Sequence, residues 1–294
     1  MKKKTVLIYI ILSLSASVLY SCRQKQAVPE SIVDDADTVI SDCDQYVRFQ
    51  TTMGDFVIKL YQGTPLHRHN MVRNVRRGVY DGQLFFGVDR KFKIQTGDPK
   101  SRGAAPGVTL GIEDNSDTIK GEIFPARYYH KRGAVGQASV RQVNFSTSQQ
   151  FYIITGTKAS ASTLADCEEK IEKKWFKALK DSLTQPYAQE ILEYRRNHNN
   201  NKISVLNDKL NKETEAVMKT RKPFRYSKEQ IQEYATNGGA PTLDGYYTVF
   251  GEVVEGMNVV DSISRSHIDK NGRPVPDVKI IKAVLVDWED TPAQ

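Results

Sequence analysis

The chain has 294 residues, of which 39 % are hydrophobic and 26 % charged, and a formal net charge of +7. That length can bury a full core as one large domain or two small ones, and the composition is that of an ordinary soluble globular protein. The charge is mild and forms neither a basic stripe nor a reading motif, so no nucleic-acid partner is expected. The three cysteines show no paired or His-rich spacing, so neither a metal nor a cofactor is expected.

The chain opens on Met1-Lys2-Lys3-Lys4, a basic run, followed by a mostly apolar stretch from Val6 to Leu19. The stretch is short for a membrane-spanning helix and reads as a targeting segment over residues 1–21. It ends in Leu19-Tyr20-Ser21-Cys22, which resembles a bacterial lipobox, with Tyr20 bulkier than the residue usual there. That resemblance implies lipidation at Cys22. The protein would then be held to a membrane of the bacterial envelope, periplasmic or associated with the outer membrane, by acyl chains worth roughly 0.8 kcal/mol per buried CH₂. The other reading is an ordinary cleaved signal followed by a chance cysteine. Residues 22–44 are polar, carry Asp34, Asp35, Asp37 and Asp42, and read as a flexible tether. Cys43 and Cys167 either bridge, which an oxidising compartment permits, or stay as two thiols.

Structure is expected from residue 45 to 290. Tyr46–Thr52 and Phe56–Tyr61 alternate apolar and polar around Met53-Gly54-Asp55, a hairpin pattern. Thr64-Pro65 starts a helix that runs to Gly78, because proline's missing N–H costs nothing in a first turn. His67 and His69 are expected on its solvent face. Residues 157–237 are helical in pattern: Leu164, Cys167, Ile171, Trp175, Ala178 and Leu179 recur at helical spacing, Pro186 breaks the run, and Asn197–Asn201 form a loop. Ile203, Leu206, Leu210 and Val217 mark a further helix, Ser227 and Gln230 make a capping box, and Asn237-Gly238-Gly239 stop the last helix. The apolar stripes either pack these helices on each other and on the remainder of the fold or offer a protein partner a surface. A final alternating strand spans Ile280 to Trp288.

Two long blocks resemble cyclophilin-type peptidyl-prolyl isomerases. Phe85-Phe86-Gly87-Val88-Asp89-Arg90-Lys91-Phe92-Lys93-Ile94-Gln95-Thr96-Gly97-Asp98 is similar to the family's F-H-R-V-I-x-x-F-M-I-Q-G-G-D. Leu243-Asp244-Gly245-Tyr246-Tyr247-Thr248-Val249-Phe250-Gly251 is similar to the family's L-D-G-x-[HY]-T-V-F-G, and the similarity continues to Ile263. Shorter similarities lie in the opening hairpin, at Asn70, and at Gln150-Phe151-Tyr152-Ile153, which resembles Q-F-F-I. The resemblance implies a mainly β fold: a closed antiparallel β-barrel with flanking helices, here carrying the large helical insertion at 157–237. It implies isomerisation of prolyl bonds in proline-containing segments of exported proteins, with no cofactor.

By that resemblance Phe92, Tyr152, Leu243 and Tyr247 line a proline pocket, Gln95 contacts substrate backbone, and Gln150 matches the pattern's other glutamine, among the substrate-binding residues. The family's arginine is absent: Gly87 stands in its place, and Phe86 stands in the histidine position. Ala138-Ser139 replaces A-N, and Thr242 lies where some members carry tryptophan. Loss of one preorganised donor costs on the order of 10²–10³ in rate, so weakened activity is expected. Lys93 replaces the pocket methionine. Read as one strand, 87–95 puts Lys93 an even number of steps from Gly87 and on the same face. Its ammonium would then serve the vacated site as a poorer substitute for guanidinium; alternatively it carries its charge out to solvent. Arg90 is out of reach. The competing function is an inactive cyclophilin fold that binds peptides or envelope proteins.

Overall fold

The computed structural model describes residues 44–112, 117–139 and 144–287. The candidate signal with Cys22, the tether up to Cys43, and Trp288 lie outside the described residues. β1 (Gln45–Thr51) and β2 (Gly54–Leu60) pair antiparallel, Gln45 opposite Leu60 and Thr51 opposite Gly54. The Thr51 hydroxyl ties the turn, accepting from the Met53 N–H at 3.1 Å and donating to the Gly54 carbonyl at 2.6 Å. Val47, Phe49, Phe56 and Ile58 point inward and are fully buried, as the two-residue alternation of a half-buried hairpin demands.

α1 (Pro65–Arg76) comes next, then β3 (Gly87–Asp89), β4 (Lys93–Thr96), β5 (Thr118–Lys120), β6 (Ala134–Gln137), β7 (Phe145–Thr147) and β8 (Phe151–Ile154). The insertion contributes α2 (Ala161–Thr184), α3 (Ala188–Arg196), α4 (Asn200–Lys219) and α5 (Lys228–Thr236), before β9 (Val249–Glu255), α6 (Met257–Ser264) and β10 (Ile280–Val286). Helices hold more of the described residues than strands do, so the expectation of a mainly β chain fails.

The expected closed barrel does not form. The large sheet runs β10-β1-β2-β9-β6-β8-β4-β3 and stops at two edges, β10 and β3. Just ahead of β3, Gly82 and Phe85 donate to Ile280 and Val278 at 2.8 and 2.9 Å, and Leu84 bridges Lys279. These contacts do not continue along β3, whose Val88 N–H goes instead to the Gly272 carbonyl. β3 has only three residues, and the turn through Lys91, at φ 63°, sends the chain straight back into β4. The result is an open, curled half-barrel with helices at its flanks and a large helical insertion. Its hollow is filled by rings: Phe49 stacks on Phe56 at 5.1 Å, and Phe151 meets Tyr80 edge-on at 5.4 Å. Such pairs add roughly 0.5–1.5 kcal/mol each beyond the area they bury.

α1 is capped from a distance. Thr64 offers no side-chain cap, and Glu122 accepts the first-turn N–H groups of Leu66 and His67 at 3.1 and 3.0 Å. A carboxylate at a helix N-terminus also meets the positive end of the macrodipole. Glu122 takes His67 Nδ1 as well, at 2.6 Å, and His67 Nε2 meets the Ser146 hydroxyl at 3.1 Å. His67 is therefore fully buried, not solvent-facing as its place in the sequence suggested. The acceptor that draws it inward comes from 55 residues away, which helical periodicity cannot register.

Within the insertion, Leu164, Cys167 and Ile171 of α2 are buried against Phe224, Tyr226 and Tyr234, with Trp175 at the margin. Glu168 and Glu172, one turn apart on α2, hold the chain between α4 and α5. Glu168 accepts the Tyr226 N–H at 2.9 Å, and Glu172 accepts the Phe224 N–H and the Arg221 guanidinium, each at 2.5 Å. The capping box forms, with Ser227 accepting from Gln230 N–H and the Gln230 side chain closing back on Ser227 N–H. Among the described residues no helix is long and apolar enough to cross a membrane.

Candidate active site

β3 and β4 form a hairpin, not one strand: Gly87 lies opposite Gln95, and Asp89 opposite Lys93. Directly opposed residues share a face of the sheet, as do residues two apart. Gly87, Lys93 and Gln95 therefore face the same way, by cross-strand pairing instead of along a single strand. Arg90 falls in the turn and points elsewhere, donating to the Ser266 carbonyl at 3.1 Å.

On that face Lys93 Nζ donates to Gln95 Oε1 at 2.6 Å, and Gln95 Nε2 donates to Gln150 Oε1 at 3.0 Å. The order of these bonds fixes the amides. An ammonium can only donate, so Gln95 turns its oxygen to Lys93 and its nitrogen to Gln150. Gln150 must then present its oxygen, which leaves Gln150 Nε2 as a buried donor without a partner. The Lys93 ammonium also sits 5.1 Å from the centre of the Tyr152 ring, within cation–π range. Burial pulls the Lys93 pKa below its ordinary value, and the Asp89 carboxylate offsets part of that.

Tyr152 lies opposite Gln95 on β4 and opposite Gly136 on β6. Gly136 is what admits it: a Cβ there would collide with the phenol ring. Tyr152 packs with Ala138, Ile154, Ala240 and Val249, and Phe92, Leu243 and Tyr247 lie partly exposed against the same cluster. Tyr247 meets Tyr152 edge-on at 6.4 Å. All four expected pocket residues thus gather beside the Lys93–Gln95–Gln150 chain. Tyr152 and Gln150 are buried, at 3 % and 1 % exposed, while Phe92, Leu243 and Tyr247 stay partly exposed around Tyr152.

Four further residues meet this site, three of them outside the blocks the sequence singles out. The Tyr152 hydroxyl contacts His130 Nε2 at 2.9 Å, and His130 Nδ1 contacts Asp244 Oδ1 at 2.7 Å. Asp244 Oδ2 accepts the hydroxyls of Tyr226 at 2.8 Å and Tyr234 at 2.6 Å. Asp244 stands inside a recognisable motif, and no sequence feature links it to His130 or to tyrosines of the insertion. Burial, then the neighbouring Asp244 charge, raises the pKa of Tyr226 and Tyr234. Burial, then Tyr247 and Asp244, raises that of Tyr152. All three remain protonated donors at neutral pH.

Comparison with known proteins identifies the family. The family model described as cyclophilin type peptidyl-prolyl cis-trans isomerase/CLD matches residues 46–168 and 182–285, the break between the two falling inside α2. The chain belongs to the cyclophilin-type peptidyl-prolyl isomerase family. It is 25 % identical over 265 residues to peptidyl-prolyl cis-trans isomerase CYP71 of Arabidopsis thaliana, covering 89 % of this chain and 28 % of that protein. A putative peptidyl-prolyl cis-trans isomerase of Staphylococcus haemolyticus is 23 % identical, with 84 % of this chain and 94 % of that protein covered. Peptidyl-prolyl cis-trans isomerase-like 4 of Mus musculus is 25 % identical, with 84 % of this chain and 34 % of that protein covered. The chain thus spans about a third or less of the plant and mouse relatives and nearly all of the staphylococcal one. A crystal structure of a Cryptosporidium parvum cyclophilin-type isomerase aligns at 18 % identity with a TM-score of 0.48, covering 84 % of this chain and all of that one.

Proposed function

We propose that the protein binds proline-containing segments of exported polypeptides over Phe92, Tyr152, Leu243 and Tyr247 and catalyses their cis–trans isomerisation at a reduced rate. The observation that carries this reading is the meeting of those four side chains with the Lys93–Gln95–Gln150 chain on one face. Prolyl isomerisation makes and breaks no covalent bond; its barrier of about 20 kcal/mol is lost amide resonance. Only a contact that strengthens as the bond twists speeds the step. Gly87 supplies no side-chain donor there, and Lys93 directs its ammonium towards the position opposite Gly87. The unpartnered Gln150 Nε2 is a donor available to a substrate carbonyl.

The competing reading, a binding module without turnover, draws on the buried Tyr152 hydroxyl, which is already committed to His130. A protease-coupled assay on a peptide containing Ala-Pro separates the two. Turnover above the uncatalysed rate, lost in Lys93→Met, favours the enzyme; binding with no acceleration favours the module. For the membrane anchor, we propose lipidation at Cys22 in the bacterial envelope, on the strength of the lipobox-like sequence, with residues 22–44 as the tether. Metabolic labelling with a radioactive fatty acid should mark the wild type and not Cys22→Ala. Equal labelling of both would sink the anchor.

A further inference from the structure

We propose that the helical insertion positions the prolyl groove, with Tyr226 and Tyr234 acting as positioning residues through Asp244 and His130 on Tyr152. The inference rests on the groove reading above and goes beyond it by giving the insertion a role at that site.

The chain of hydrogen bonds has one direction. Asp244 Oδ1 accepts both the backbone N–H of His130, at 2.8 Å, and Nδ1, at 2.7 Å. In the neutral ring with its proton on Nδ1, Nε2 is the acceptor and the Tyr152 hydroxyl donates to it at 2.9 Å. The second carboxylate oxygen takes the two insertion hydroxyls. Every donor in the row has its acceptor. All five side chains are buried, the most exposed at 5 %. Hydrogen bonds to a charged acceptor in a low-dielectric interior are the strong kind, and members of such a network act together.

The carboxylate on which the insertion closes is buried beneath the loop that forms the groove's rim. Asp244 comes directly after Leu243 and stands three residues before Tyr247. α2 holds the same loop from its other side: Lys174 Nζ donates to the Gly245 carbonyl at 2.5 Å and lies 4.6 Å from the Tyr246 ring centre. Ile171 packs under Gly245 so closely that a Cβ there would meet Ile171 Cγ1 at 2.8 Å. The insertion thus fixes both the floor of the groove, through the Tyr152 hydroxyl, and its rim, through the loop carrying Leu243 and Tyr247. Whatever moves α2 or α5 moves the groove.

The test is a double-mutant cycle on the full chain. Affinity for a peptide containing Ala-Pro is measured for wild type, Tyr234→Phe, Tyr152→Phe and the double variant, together with the ¹⁵N shifts of the His130 ring. Tyr234→Phe should weaken binding about tenfold, or about 1.4 kcal/mol, and should move the His130 nitrogen shifts from their wild-type values, because Asp244 loses one of its donors. In the Tyr152→Phe background, where the row is already cut, the same change should cost less than about twofold. Tyr226→Phe serves as an independent second entry to the carboxylate and should behave alike. Equal losses in both backgrounds, or no loss in either, overturn the proposal. A wild type that binds no such peptide sinks the groove reading instead. The His130 shifts then decide this inference alone, unchanged shifts in Tyr234→Phe and Tyr226→Phe refuting it.

Discussion

Gly87→Arg restores the family's missing side chain, and the structure says why it should not restore activity by itself. Backbone strain is no obstacle, and a Cβ on Gly87 would meet Gln95 Cβ at 3.3 Å, a contact relieved by a shift of a few tenths of an ångström. A positioned donor is worth about 2.7–4 kcal/mol, or 10²–10³ in rate. The guanidinium would, however, arrive beside Gln95 Oε1, which Lys93 Nζ already holds at 2.6 Å. Two like charges about 4 Å apart repel by about 1 kcal/mol in water and about 4 kcal/mol at the effective dielectric of a protein surface. The half-buried Lys93 lies between those limits, so repulsion cancels most of the gain. Gly87→Arg alone should therefore change kcat/KM by less than about tenfold, whereas Gly87→Arg with Lys93→Met should raise it by about 10²–10³. The assay is protease-coupled isomerisation at low ionic strength, repeated at high salt, where the single variant should recover part of its deficit. A single variant as active as the double would show that the ammonium does not occupy this site. A double variant no better than wild type would show that catalysis does not depend on a donor opposite Gln95.

Lys93 also sets a pH dependence. Its ammonium is the form that binds Gln95, and burial lowers its pKa, so activity should fall as pH rises through a value below that of an ordinary lysine; Lys93→Arg should flatten this alkaline limb in a pH–rate profile. Stability should run the other way. Between the lowered folded-state pKa and the ordinary value the unfolded chain holds more protons, so denaturation midpoints should rise with pH across that window in wild type and not in Lys93→Met. Gly245→Ala adds a methyl at φ 75° against Ile171 and should destabilise the fold by about 1–3 kcal/mol; in an Ile171→Ala background, which removes the γ carbons it meets, the same change should lose only the steric share of its cost, and no cost at all in urea melts there would disprove the backbone part. Glu122→Ala removes the acceptor of two first-turn N–H groups and of buried His67 and should cost about 1–3 kcal/mol by thermal unfolding, while Asp55→Ala, on an exposed residue, should change little.

The residues that pattern along the chain were legible from their order alone. The hairpin of β1 and β2 follows from alternation, α2, α4 and α5 follow from helical spacing, Pro186 and the capping box, and the two long blocks carry the family resemblance with Gly87 visible as its gap. These signals are local: each depends on neighbours within a turn or a strand pair, where backbone geometry is fixed by the side chains themselves. Whether the sheet closes was not local. It turned on the length of β3 and on where Val88 sends its N–H, and the sheet stays open. His67 was misplaced for the same reason, since its burial depends on a carboxylate far along the chain. Likewise the approach of Tyr226 and Tyr234 to Asp244, and of His130 to Tyr152, exists only once the insertion is folded against the rim. A buried polar group must find partners wherever the chain brings them, and only the folded chain says where that is.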